Sequence, residues 1–392
     1  MQTSPSVDSA KSTSTPVPFN HPDLTSTETA YVIEALRSGK ISGDGSFTKR
    51  VHEFLGAHYG CSVLLVHSCT AALEMSALLA DLKPGDEVIM PSFTFVSTAN
   101  AVVLRGAVPV FVDIRPDTLN IDERLIAAAI TERTRAIMPV HYAGVGAAMR
   151  EILTIAKAHK LLVIEDAAQG YEATYDDLPL GRFGDLGCLS FHETKNVVSG
   201  EGGALLINNP ELVDRAQYIR EKGTNRTQFL QRYVSKYEWV DLGSSYLPSD
   251  ILAAVLLAQL ERAPEITARR RAIWNRYYNG LKHLADAGFS LPQVPANAVH
   301  NGHIFYLMPP KPEQQQPLLK SLAGEQISAT SHYVPLHNSP AGLKYSRAHG
   351  DLPVTVRVGS SIVRLPVFAG MSDAQVDRVI ERVAYHAARV AG

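Results

Sequence analysis

The chain predicts an α/β protein, with a large domain on a parallel-rich sheet and a smaller C-terminal α+β domain. Three observations carry that reading. Short apolar runs recur between Val63 and Ile207 with helix-patterned segments between them, the spacing of strands joined by right-handed crossovers. The runs are continuously apolar rather than alternating, as in a sheet covered on both faces. Beyond Asp250 the pattern changes to one long helix, then to short strands and two helices around Pro-rich turns.

Taken in order, residues 1–16 are polar and rich in Ser, Thr and Pro, and read as a disordered tail with no signal-peptide core. Residues 17–250 form the large domain. It opens with a helix from Tyr31 to Arg37 and another from Thr48 to Tyr59, the second stopped by Gly60. Strands then follow at Val63–Val66, Glu87–Met90, Val108–Val112, Ala136–Val140, Leu161–Ile164, Leu186–Phe191 and Ala204–Ile207. Helices fill the gaps: Ser68 to about Leu82, Phe95 to Leu104, Ile121 to Ile130 and Met149 to His159. Residues 251–282 read as a single connecting helix between lobes, and 283–392 as the small domain.

Composition removes several function classes. A formal net charge of −2 gives no electrostatic reason to expect nucleic acid or an anionic membrane. No apolar window reaches the roughly 18 residues of a spanning helix. Three scattered cysteines, Cys61, Cys69 and Cys188, suggest a reducing compartment, and the expected location is cytoplasmic. No Cys or His cluster has metal-ligand spacing, and there is neither a dinucleotide fingerprint nor a phosphate-loop lysine motif.

The chemistry gathers in a few segments. Lys195 lies in Ser190-Phe191-His192-Glu193-Thr194-Lys195-Asn196, just after an apolar strand and before Gly200-Glu201-Gly202-Gly203. About thirty residues upstream a second apolar run ends in Asp166-Ala167-Ala168-Gln169, at the carboxyl end of a strand where this architecture binds ligands. A lysine near a buried acid, with anion sites around them, is what gripping pyridoxal phosphate requires. Lys195 is the expected nucleophile, and with a free pKa near ~10.4 it needs desolvation or neighbouring cations to act at neutral pH. Asp166 would pair with the ring nitrogen and Gln169 with the phenolic oxygen. Ser68-Cys69-Thr70, opening a helix, and Ser190 are candidate phosphate donors, and Phe95 a ring to stack on the cofactor. Each has a plainer reading: a surface lysine, a helix-capping Asp, a polar helix start, a core Phe. His332, Tyr333 and His337 form a polar-aromatic patch that reads either as substrate contact or as turn.

These runs resemble the sugar aminotransferases of the DegT/DnrJ/EryC1/StrS family, from about Pro18 to the C-terminal helix. Ser42-Gly43-Asp44-Gly45, His67 through Met75, Arg220 through Arg226 and Gly243-Ser244-Ser245-Tyr246 carry the likeness with the Lys195 segment. The resemblance implies a type I pyridoxal-phosphate transferase fold, with Lys195 covalently holding the cofactor. It also implies that Asp166 and Gln169 hold the ring, Cys69, Thr70 and Ser190 the phosphate, and that Phe95 stacks. It further implies a homodimer with active sites at the interface, and His332, Tyr333 and His337 as contacts to a nucleotide sugar. The nearest branch within the family implies conversion of dTDP-4-keto-6-deoxyglucose and L-glutamate to dTDP-4-amino-4,6-dideoxygalactose and 2-oxoglutarate, in polysaccharide biosynthesis. The alternative is another 3- or 4-aminotransferase of a nucleotide sugar. Many members send an asparagine from the partner subunit to the phosphate; here Leu247 falls at that place, with Ser245 or Tyr246 as replacements. A dehydratase branch carries histidine in place of the lysine, and Lys195 argues against it.

Overall fold

The computed structural model describes residues 15–391. Almost all of the expected N-terminal tail therefore lies outside the described residues. The large domain is built on an eight-stranded sheet. Across it the order is Ser62–Val66, Gly203–Ile207, Leu186–Ser190, Leu162–Asp166, Thr134–Ile137, Glu87–Pro91, Val108–Val112 and Arg347–Ala348. Neighbours pair in parallel except for Gly203–Ile207, which runs antiparallel to both strands beside it. Apolar clusters cover the two faces, around Leu73, Met75 and Leu205 on one side and Leu55, Leu65 and Leu206 on the other. Leu205 and Leu206 are neighbours facing opposite ways, so a continuous apolar run is what a doubly covered strand needs.

Local chemistry sets the helix ends. Thr25 and Glu28 form a capping box, so the first helix starts at Ser26, earlier than the apolar spacing alone indicates. The helix Ser46–Tyr59 is capped from afar: Asp250 accepts the Phe47 and Thr48 N–H groups at 3.2 and 2.8 Å. Gly60 closes it in the left-handed conformation at φ 64°.

The single connecting helix expected over residues 251–282 is two helices, Asp250–Glu261 and Ala263–Leu281. Pro264 is the reason: it has no N–H to donate, and its ring collides with the carbonyl four residues back. At the junction Arg262 leaves helical geometry and its guanidinium bonds Asp23 at 2.7 Å.

The C-terminal region packs the antiparallel pair Phe305–Leu307 and Val363–Leu365 against the helices Gln315–Gly324 and Asp373–Ala391. Val17, fully buried, joins that core and exchanges backbone hydrogen bonds with Gln326 and Ser328. Ala298–Val299 pairs with Thr174–Tyr175, and Arg347–Ala348 supplies the edge of the large sheet. The cavity described next lies between the ends of strands Leu162–Asp166 and Leu186–Ser190 and the strand Val363–Leu365.

Candidate active site

Strand Leu162–Asp166 ends in two adjacent carboxylates, and strand parity sends them to opposite sides. Glu165 is fully buried, accepting the N–H groups of Gly181, Phe183 and Gly184 and bonding His141 at 2.8 Å. Asp166 instead lines a cavity of about 380 Å³, a size typical of small-molecule sites. Its Oδ2 accepts from the Thr98 hydroxyl at 2.7 Å and its Oδ1 from the Ala168 N–H at 3.1 Å. Burial raises its pKa, while Thr98, Ala168 and the charge on Lys195 pull the other way.

Lys195 lines the same cavity from a loop folded back on the strand Leu186–Ser190. Phe191 N–H donates to the Gly202 carbonyl, Glu193 to Gly200 and Lys195 to His192. Burial lowers the pKa of the lysine amine against the opposing pull of Cys69 and Asp166, and Arg364 lowers it further. The neutral, nucleophilic amine is thereby favoured. Asn196 fixes the loop: it donates to the Asn301 carbonyl at 2.9 Å and bonds His303 at 2.9 Å. The Asn301 side chain donates to the carbonyls of Gln169 and Tyr171, both at 2.7 Å, so one buried amide ties the lysine loop to the Asp166 segment.

The third wall is the start of helix Cys69–Leu79, with Ser68 as N-cap bonded to the Ala71 N–H. That leaves the N–H groups of Cys69 and Thr70 open at the positive end of the helix. Gly203 passes directly against it: a Cβ there would lie 2.4 Å from Cys69 N and from the Ser68 carbonyl carbon. Only glycine lets the strand run this close. The Thr70 hydroxyl bonds Ser97 at 2.7 Å, and Ser97 and Ser190 line the cavity beside it.

The structure brings together Cys69, Thr70, Phe95, Asp166, Gln169, Ser190, Lys195, His332 and Tyr333, all on one cavity wall or another. Phe95 is 57% exposed at its mouth. Gln169 accepts from the Ala143 N–H at 2.7 Å and donates to the Tyr333 hydroxyl at 3.1 Å. His332 bonds the Tyr142 hydroxyl at 2.9 Å. His337 is not brought in with them: it does not line the cavity, and its ring is held on Ser92 at 2.7 Å by the turn Leu336–Asn338. Tyr246 is buried, with its hydroxyl 3.4 Å from Glu74, whereas Ser245 is exposed; of the two replacements for the missing asparagine, only Ser245 faces outward.

Sequence reasoning missed Thr98, Ser97, Asn301, Arg270 and Arg364. For Thr98 and Ser97 a signal existed, since they open the helix after a parallel strand, where this fold places ligand groups. Asn301 and the arginines come from distant segments with no motif around them.

The donor set fits pyridoxal phosphate: a buried carboxylate, a desolvated lysine, and a helix start with two open N–H groups beside a glycine cradle. Comparison with known proteins agrees. The sequence model of the DegT/DnrJ/EryC1/StrS aminotransferase family matches residues 22–384. The chain belongs to that family. Among its relatives, the spore coat polysaccharide biosynthesis protein SpsC of Bacillus subtilis is 34% identical over 379 residues, covering 94% of this chain and 96% of SpsC. The aminotransferase TlmJ of Streptoalloteichus hindustanus superposes with a TM-score of 0.89 at 30% identity, covering 96% of this chain and all of TlmJ. Spr1654 of Streptococcus pneumoniae, solved in a PLP-form, gives a TM-score of 0.87 at 27% identity, covering 96% and 100% of the two chains. The type I architecture expected from the family is thus the observed one. Among the described residues no helix is long and apolar enough to cross a membrane.

Proposed function

We propose that this member of the family moves the amino group of L-glutamate to a keto carbon, C3 or C4, of a nucleotide-linked sugar. The chain is a pyridoxal-phosphate-dependent aminotransferase by family and by the cofactor its solved relatives carry. One observation supports the reading most: Lys195 and Asp166 face one cavity whose third wall is the Cys69–Thr70 helix start. Within it, Lys195 would hold the cofactor covalently, Asp166 its ring nitrogen, Gln169 its phenolic oxygen, and Cys69, Thr70 and Ser190 its phosphate. The exposed ring of Phe95 would cover the cofactor's face. When bound, pyridoxal phosphate supplies an electron sink for the carbon that loses its proton. The lysine Nζ takes that proton from the donor's Cα and later delivers one to the sugar carbon, acting as base and then acid. His332 and Tyr333 would orient the sugar, whose nucleotide adds binding energy away from the reacting carbon.

The broad reading is better supported than any single sugar, because the relatives' names extend from spore coat polysaccharide to proteins named for no sugar at all. Its narrower form is dTDP-4-keto-6-deoxyglucose giving the 4-amino-4,6-dideoxygalactose product, and it rests on the Ser190–Asn196 and Gly243–Tyr246 runs. We further propose a homodimer in which the exposed Ser245 of one subunit completes the site of the other. The test is incubation of the purified enzyme with L-glutamate and a panel of nucleotide-linked 3-keto and 4-keto sugars, with NMR of the products. An aminated sugar with 2-oxoglutarate is the expected result, and its amination position and epimer decide the substrate. Failure to aminate any sugar while glutamate still converts the cofactor would overturn the sugar assignment.

A further inference from the structure

We infer that the Thr98 hydroxyl keeps a proton on the cofactor's ring nitrogen by making the Asp166 carboxylate a weaker base, with Thr94 orienting that hydroxyl. This rests on the placement of Asp166 proposed above and deepens it. Two donors hold the carboxylate, and Thr98 makes the shorter contact: 2.7 Å to Oδ2, against 3.1 Å from the Ala168 N–H to Oδ1. The direction of each proton follows from counting donors. An ionised carboxylate only accepts, so the single Thr98 proton goes to Asp166. Thr98 must then accept at its 2.8 Å contact with Thr94, whose own proton points at Thr98. Two buried hydroxyls are thus aligned on one acid, and the first polarises the second.

Hydroxyls in other helices behave differently. Ser76 and Thr154 each donate to the backbone carbonyl four residues back, at 2.8 Å, the usual fate of a Ser or Thr inside a helix. Thr98, in the first turn of helix Val96–Val103, gives its proton to a distant strand end instead. Its neighbour Ser97 bonds Thr70 beside the phosphate donors, so one helical turn serves both ends of the site. Burial raises the Asp166 pKa, and the Thr98 hydroxyl is the largest of the influences that oppose it. A proton shared between a carboxylate and a ring nitrogen lies with the stronger base. Weakening Asp166 as a base leaves that proton on the nitrogen, and a protonated ring is the better electron sink. Thr98 is fully buried and does not line the cavity, so it acts through Asp166, as a positioning residue.

The experiment compares wild-type holoenzyme with Thr98→Val, which keeps the branched shape and removes the hydroxyl, and Thr98→Ser, which keeps the hydroxyl. Each is loaded with pyridoxal phosphate isotopically labelled at the ring nitrogen, and nitrogen NMR at neutral pH reads whether that atom carries a proton. Thr98→Val should move the resonance toward the unprotonated ring, and Thr98→Ser should hold the wild-type value. Thr94→Val should move it the same way by less. Stopped-flow absorbance follows the cofactor during the half-reaction with L-glutamate. Its maximum rate should fall roughly 10- to 100-fold in Thr98→Val, the worth of a hydrogen bond to a charged group, while the half-saturating glutamate concentration stays the same. A Thr98→Val resonance equal to that of the wild type overturns the inference, even if the variant is less stable. Should Thr98→Val not fold, Thr98→Ala is judged by the same criterion. A wild-type ring nitrogen without a proton, its resonance unmoved by Asp166→Asn, would instead count against the placement of Asp166 on the ring.

Discussion

The neighbours Glu165 and Asp166 have the same chemistry and opposite fates, and strand parity alone separates them. One satisfies three backbone N–H groups in the core, and the other faces Lys195 across the cavity. Lys195 is desolvated for reactivity rather than for stability, since a buried amine costs free energy. Lys195→Ala should therefore lower turnover by about 10⁴-fold or more while leaving the thermal midpoint unchanged or raised. Steady-state kinetics and a melting curve read both, and normal cycling would remove the residue from the mechanism. Gly203 predicts the opposite pattern. A methyl group there meets the Cys69 nitrogen at 2.4 Å, and that atom is backbone that cannot swing aside. Gly203→Ala should cost about 1–3 kcal/mol of stability and weaken cofactor binding, seen as a loss of cofactor absorbance at limiting pyridoxal phosphate. At this scale much was legible: the run around Lys195, the Asp-x-x-Gln and the Ser-Cys-Thr all predicted residues that share one cavity. His337 was not, because its neighbours in sequence reach the cavity while its own ring is drawn off by Ser92, a contact no local pattern encodes.

Among the elements, the edge strand Arg347–Ala348 carries most of what the sequence hid. Its two residues have no strand signature, and the pairing exists because Arg347 reaches the fully buried Glu87 at 2.8 Å, with Arg133 at 2.6 Å from the same carboxylate. Such long-range ion pairs leave no periodic trace. The two-helix connector was hidden less deeply: Pro264 was in plain sight, yet the helix-forming runs on either side read as one long helix. Hydrogen bonds from Arg347, with further help from Arg133 and Thr131, outweigh desolvation and bring the Glu87 carboxyl down to about 2 from 4.5. Because the folded-state pKa is depressed, the stabilisation is complete above about pH 4.5 and disappears as pH falls through about 2. Glu87→Gln should thus cost about 2–4 kcal/mol at pH 7 and far less near pH 2.5. Chemical denaturation at the two pH values measures the difference, and an equal loss at both would mean that the charge does not hold this strand.

Considered whole, the molecule exposes several large apolar side chains on one segment. Leu230, Tyr233, Trp239 and Leu242 are 61%, 79%, 78% and 51% exposed, on a single stretch of chain that also leads to Ser245. Single exposed hydrophobes need no explanation, but four on one stretch of chain suit the subunit interface proposed above. Aromatic side chains dominate such surfaces because they bury large area with few rotors to freeze. The cavity itself is bordered by the exposed Phe95. Double substitution of Leu230 and Tyr233 by Asp places two desolvation penalties in that interface. It should leave the fold of the subunit intact, since neither side chain is buried within it. Sedimentation should show a dimer for the wild type and a monomer for the variant. The wild type's melting temperature should also rise with protein concentration while the variant's does not. If Ser245 serves the partner's site, the monomeric variant should bind pyridoxal phosphate more weakly as well, and a Ser245→Ala dimer should share that defect without dissociating. A wild type that sediments as a monomer at all concentrations, yet turns over, would show that each subunit completes its own site.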